Sequence, residues 1–116
     1  WNMNRKGYKA VIACVMDGCA VDGVPRKGED CVGAVEDFLF RDWRKLGKAK
    51  KGEPDPESIV LNKSDINYEH DTFSNVGGIN VPPRKRLDML EEAGFISMEN
   101  YKRDHVKITR KIKSIR

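Results

Sequence analysis

Between Val81 and Ile112 the spacing of apolar residues changes period once, and that change predicts a helix followed by a hairpin. Leu87, Leu90 and Ala93 form one apolar stripe at spacing three, the mark of an amphipathic helix. Pro82 and Pro83 precede it, and their fixed φ suits a first turn whose amide donors are unpaired in any case. Gly94 stands where a left-handed cap ends a helix, and Phe95 and Ile96 return the chain to its core. From Val106 the period becomes two. Val106, Ile108 and Ile112 share one face, while Lys107, Thr109, Lys111 and Lys113 share the other. This is the pattern of a half-buried strand with a cationic outer face.

The same test orders the rest of the chain. Tyr8, Val11, Ile12, Val15 and Cys19 recur at helical spacing and predict a first core helix from Arg5 to about Cys19, with Met16 and Asp17 in its last firm turn. A second helix is predicted from Glu29 to Leu46, with Glu29 and Asp30 in the first turn, where the helix dipole favours acids. Val32, Val35, Phe38, Leu39 and Trp43 form its apolar stripe, and Gly47 ends it. Arg41, Arg44, Lys45 and Lys48 near its end complement the dipole. Residues 47–57 carry Lys, Gly, Pro and acid and read as a loop or short linker. Ser58 to Leu61 is a short β-prone run expected to join the C-terminal hairpin as a third strand. Ser64 reads as the cap of a short helix from about Asp65 to Asp71, and Asn75, Gly77, Gly78 and Asn80 as a tight turn after it.

Composition narrows the class. A chain of 116 residues is one domain's worth, and 39% hydrophobic against 34% charged residues describes a small domain with much solvated surface. No run approaches the roughly 18 apolar residues of a membrane span, and the first residues lack a signal peptide's apolar centre, so no membrane association is expected. The chain opens on Trp1, and Met3 is a candidate natural start. Cys14, Cys19 and Cys31 fit no paired framework and read as reduced thiols. With His70 and His105 they offer no close metal-ligand spacing, so neither a metal nor a cofactor is expected. The expected compartment is the cytoplasm, or the nucleus in a eukaryote.

Charge is the feature that points to a partner. Residues 1–83 hold 12 Lys/Arg against 13 Asp/Glu, whereas residues 84–116 hold 10 against 5. The basic excess therefore lies in the helix–hairpin stretch and its tail, where it suits a polyanion whose condensed counterions would be released on binding. A solvated basic tail is the plainer alternative.

A short helix, a turn, a helix with Leu87 and Leu90, then Gly94-Phe95-Ile96, a polar hairpin and a basic strand resembles the winged helix-turn-helix family. The resemblance covers about Ser58 to Ile112, roughly half the chain. It implies an α+β fold with a helical core and a small antiparallel C-terminal β-hairpin wing, here with N-terminal helices added. The domain plan is then a single winged-helix domain over 1–116, with N-terminal helices in 1–46, a loop in 47–57, helix-turn-helix and wing in 58–112 and a basic tail in 113–116.

In that family the second helix of the pair reads the major groove. The resemblance implies a recognition helix over about 82–93, a wing over 97–112 on the DNA backbone with its tip at Asn100 to Asp104, and double-stranded DNA as the partner in transcriptional or replication control. Arg84, Lys85 and Arg86 would occupy the first turn of the recognition helix, with Arg84 and Lys85 outward and Arg86 nearer the flank. Arginine's planar fork suits guanine O6 and N7. Lys102 and Arg103, beside Tyr101, would contact phosphate or the minor groove, and Lys107, Thr109 and Lys111 the backbone.

Three cations in a first turn oppose the helix dipole by up to about 1 kcal/mol each, which an anionic partner would offset. No nucleophile elbow, phosphate-binding glycine loop or HExxH motif occurs, so enzymatic activity is not expected. Two further expectations concern protein partners. The stripe of Val32, Val35, Phe38, Leu39 and Trp43 exceeds what a small core needs, which suggests a homodimer. The alternative function is a winged-helix protein-interaction module, such as a viral or mobile-element protein that binds and blocks a host nucleic-acid machine.

Overall fold

The computed structural model describes residues 5–17, 20–21, 24–25 and 28–112. Within them the apolar periodicities become an α+β fold in which helical bodies and two small sheets share one core. Helix α1 spans Arg5–Met16 and buries Ile12 and Met16. Cys19, the far end of its expected stripe, lies outside the described residues, as do Lys113 and the rest of the basic tail.

The second expected helix forms over Gly28 to Leu46, but in three registers. Helix α2 (Gly28–Glu36) runs into a π-helical turn (Asp37–Asp42) and on into the short helix α3 (Trp43–Leu46), with right-handed helical backbone at Glu36, Asp42 and Trp43. Cys31, Val32, Val35, Phe38, Leu39 and Trp43 are all buried. The stripe expected to be surplus therefore belongs to the chain's own core.

Residues 47–57 form a loop, as its composition predicts, and two arginines hold it. Arg44 Nη1 donates to Asp55 at 2.7 Å and Arg110 Nη2 to the other oxygen of that carboxylate at 2.9 Å. These hydrogen bonds, Arg44 first, hold the Asp55 carboxyl below its ordinary range. A depressed folded value contributes stability that is present above the ordinary carboxylate range and lost as pH falls through the folded value. Asp55→Asn is thus expected to lower the melting temperature at pH 7 by a few degrees at most, because the group is solvent-screened. Melts followed by circular dichroism should show the gap to the parent chain closing as pH drops below about 4.

Strand β3 (Ser58–Asn62) pairs antiparallel with β7 (His105–Arg110), which pairs antiparallel with β6 (Ile96–Tyr101), in the order β3-β7-β6. The third strand expected at Ser58 to Leu61 is present and extends one residue further. Ile59, Leu61, Val106 and Ile108 face the core on alternate positions. Helix α4 (Arg84–Glu92) packs on β6 and on α1 and buries Leu87 and Leu90. It starts two residues later than expected because Pro83 is extended and acts as the N-cap. Its end is a Schellman motif: Phe95 N–H donates to the Leu90 carbonyl and Gly94 N–H to the Glu91 carbonyl, each at 3.0 Å, with Gly94 at φ 92°.

Between β3 and α4 the structure departs from expectation. No helix forms over Asp65 to Asp71. A 3-10 turn spans Lys63–Asp65, capped by Asn62, and Ile66 is already extended. The Asn67 side-chain oxygen then accepts the Glu69 and His70 N–H groups at 3.3 and 2.9 Å, giving the backbone a local partner in place of a helical ladder. The stretch expected to be only a turn is a hairpin of β4 (Thr72–Val76) and β5 (Ile79–Val81). Its Gly77-Gly78 loop has φ of 59° and 86°, the doubly positive pair that a tight two-residue hairpin requires. Two two-residue strands, β1 (Ala20–Val21) and β2 (Val24–Pro25), extend this sheet, with β1 parallel to β4. Among the described residues no helix is long and apolar enough to cross a membrane.

Candidate functional site

The eight residues expected to meet a polyanion divide into three groups once the fold is in place. The first turn of α4 presents Lys85 to solvent, while Arg84 is half-buried. Arg84 Nε donates to Asp88 at 2.9 Å, its Nη1 donates to the Tyr68 hydroxyl at 3.0 Å, and its guanidinium carbon lies 5.4 Å from the Tyr68 ring centroid. Burial works to lower the Arg84 pKa, and the hydrogen bonds with Asp88 and Tyr68 outweigh it, so the net direction is up. The charge is permanent, but part of the guanidinium's bonding is already engaged.

Arg86 is the clear correction. It is only 8% exposed and belongs to the interior. Nε and Nη2 grip the two Asp71 oxygens, with Nε at 2.9 Å, and Nη1 donates to the Val15 carbonyl at 2.9 Å. A guanidinium facing inward across α1 and the Asp71 loop is not available to a groove. The fully exposed charges of α4 are therefore one cation and two acids, Lys85, Asp88 and Glu92, with the half-buried Arg84 paired to Asp88 beside them.

Of the eight, the exposed cations other than Lys85 lie on or just after the β6–β7 hairpin, while a separate exposed basic set, Arg41, Lys45, Lys48, Lys50 and Lys51, lies at the end of the helical rod and in the loop after it. Tyr101, Lys102, Arg103 and Asp104 are all exposed around the turn between β6 and β7. Lys102 adopts φ 55°, and its ammonium lies 5.5 Å from the Tyr101 ring centroid. Along the outer face of the sheet, Val60, Lys107 and Glu99 form one cross-strand row and Ser58, Thr109 and Ser97 another. Lys107 Nζ lies 3.9 Å from Glu99. Thr109 is committed to the sheet, its hydroxyl 2.8 Å from that of Ser58. Lys111 follows the strand and is exposed, anchored through its N–H to the Phe95 carbonyl at 2.9 Å.

Sequence reasoning passed over the segment that connects these two regions. Lys63 N–H donates to the Asp104 carbonyl beside the β6–β7 turn at 2.8 Å, and the Arg84 N–H donates to the Asn67 carbonyl at 3.0 Å. Residues 63–68 thus bridge the β6–β7 hairpin to the start of α4. The one signal for this in the sequence is Tyr68, an aromatic among Asn67, Glu69 and His70, which a helical reading leaves unexplained.

The described residues contain no group of three or more His, Cys, Asp or Glu that could hold a metal ion. Exposed cations on a hairpin are able to hold a phosphate, and one lysine at a helix start adds to the dipole's attraction for an anion. No family model matches the chain, and no curated protein or solved structure is significantly similar to it.

Proposed function

We propose that the chain binds double-stranded DNA as a winged helix-turn-helix protein, in transcriptional or replication control. The observation that carries this reading is the unit formed by α4, its Gly94 cap and the β6–β7 hairpin, with Lys85, Lys102, Arg103 and Lys111 exposed along it. The antiparallel order β3-β7-β6 behind α4 is consistent with a wing. The extended, hydrogen-bonded segment in place of the first helix of the pair alters the docking, and the placing of Arg84 and Arg86 shifts the weight of binding from base edges to phosphates. Affinity then comes from the wing and Lys85, with little sequence discrimination.

Fluorescence anisotropy with a labelled duplex, repeated between about 50 and 200 mM salt, tests this. The affinity should fall steeply with salt. Lys102→Ala with Arg103→Ala should weaken binding about tenfold for every sequence tried and flatten the log–log salt slope by about two. Absence of binding at the lowest salt removes the DNA reading.

A second reading draws on the mixed charge of Lys85, Asp88 and Glu92 on α4, which suits a protein surface better than a polyanion. The chain would then be a winged-helix interaction module, such as a viral or mobile-element protein that blocks a host nucleic-acid machine. A protein complex of fixed stoichiometry without salt-sensitive DNA binding would favour it.

A further inference from the structure

Among the described residues, two aromatic side chains are strongly exposed, Tyr68 at 47% and Tyr101 at 39%, and each lies beneath a cation. Tyr68 borders an open groove of about 570 Å³ whose lining includes one cation, Lys63, one acid, Glu69, and Ile66 and Ser74. The volume falls within the roughly 300–1,000 Å³ typical of small-ligand clefts, and a base with its sugar is a ligand of that class. The groove follows the bridge between the wing tip and the start of α4, so a nucleic-acid strand touching both elements would pass along it.

The ring is prepared for a ligand. Arg84 donates to the Tyr68 hydroxyl and lies over the ring, which fixes its orientation before anything binds and reduces the ordering cost of stacking. An exposed, held aromatic ring beside cations is a stacking platform for a nucleobase. In a continuous duplex every base face is covered by its neighbours, so such a ring has a partner only where a base is unpaired.

We propose that Tyr68 stacks on an unpaired base in this groove, so that the protein prefers a duplex opening into single strand over a continuous duplex. The proposal rests on the DNA-binding reading and adds a site to it. Lys63 supplies charge beside the single strand, while the wing cations hold the duplex side.

The experiment compares three labelled DNAs at one salt concentration: a blunt duplex, the same duplex with an overhang of about six nucleotides, and the overhang strand alone. The parent chain should bind the overhang duplex about tenfold more tightly than the blunt one. Tyr68→Ala should erase that preference while blunt-duplex binding persists, since the hairpin cations and Lys85 remain and Arg84 is released from the ring. Tyr68→Phe, which keeps the ring and loses the hydroxyl, should retain most of it. Equal affinity of the parent chain for blunt and overhang duplexes overturns this proposal and leaves the DNA reading intact, as does a preference that survives Tyr68→Ala. Binding to none of the three removes both.

Discussion

Arg86→Met should lower the unfolding free energy by about 3 kcal/mol, a large share of the total for a small domain. Arg86 joins three separate parts of the chain: its own helix α4, the Asp71 loop and the last turn of α1 through the Val15 carbonyl. That carbonyl is one of the four at the end of α1 that lack a helical partner, and a cation there also complements the dipole. Methionine fills similar volume but leaves the carbonyl and the carboxylate unmatched. Asp71 is 35% exposed at its side chain and can rehydrate, which keeps the cost below that of a fully buried orphan charge. Arg86→Lys should fall between, since an ammonium cannot grip both carboxylate oxygens and the carbonyl together. Urea titrations would measure the series, and a loss under about 1 kcal/mol for Met would show that the network contributes little.

The second large effect is expected at Trp43, where alanine should cost about 4 kcal/mol. Trp43 is fully buried, its ring 5.9 Å from that of Phe38 in an edge-to-face arrangement at 79°. Its Nε1 donates to the Pro56 carbonyl at 2.6 Å, and the Arg110 guanidinium lies 5.6 Å from its ring centroid. One side chain thus connects the helical rod, the 47–57 loop and strand β7. Trp43→Phe keeps most of the apolar contact and strands the Pro56 carbonyl, so its cost should be nearer 1–2 kcal/mol. Equal losses for the two variants would mean that the hydrogen bond, and not packing, dominates.

The parts of this fold legible in the sequence are those where one residue's surroundings follow from its near neighbours. The stripe of the long helical rod, the Gly94 cap and the alternation of β7 are local patterns that appear where expected, whereas of the stripe expected in α1 Ile12 is buried, Val11 and Val15 are partly so, and Met16 takes the other buried place. Tertiary partners decide the rest. Arg86 reads as a flank cation beside Leu87 and Leu90, and only the arrival of Asp71, fifteen residues earlier in the chain, turns it inward. The polar segment after Ser64 reads as a helix until Asn67's side chain is seen to claim the amides the helix would need. The glycine pair Gly77-Gly78 reads locally as a turn, and only pairing of the flanking residues across it, and of Phe73 with Val21 of β1, makes Phe73 and Val81 buried positions of a sheet.

The π-helical turn at Asp37–Asp42 has a consequence for how the two halves of the molecule are joined. A π turn holds more residues per revolution than the 3.6 of an α-helix, so each surplus residue rotates the next helical segment by about 100° relative to an unbroken helix. It acts as a phase shifter. Helix α2, before it, directs its apolar side chains at α1, while α3, after it, addresses strand β3, and Arg110 from strand β7 caps the Leu39 carbonyl within the turn at 2.7 Å. The β6–β7 hairpin is therefore joined to the N-terminal helices through a single offset in one rod, so that the winding of the rod and the seat of the hairpin share the Leu39 carbonyl as a common point.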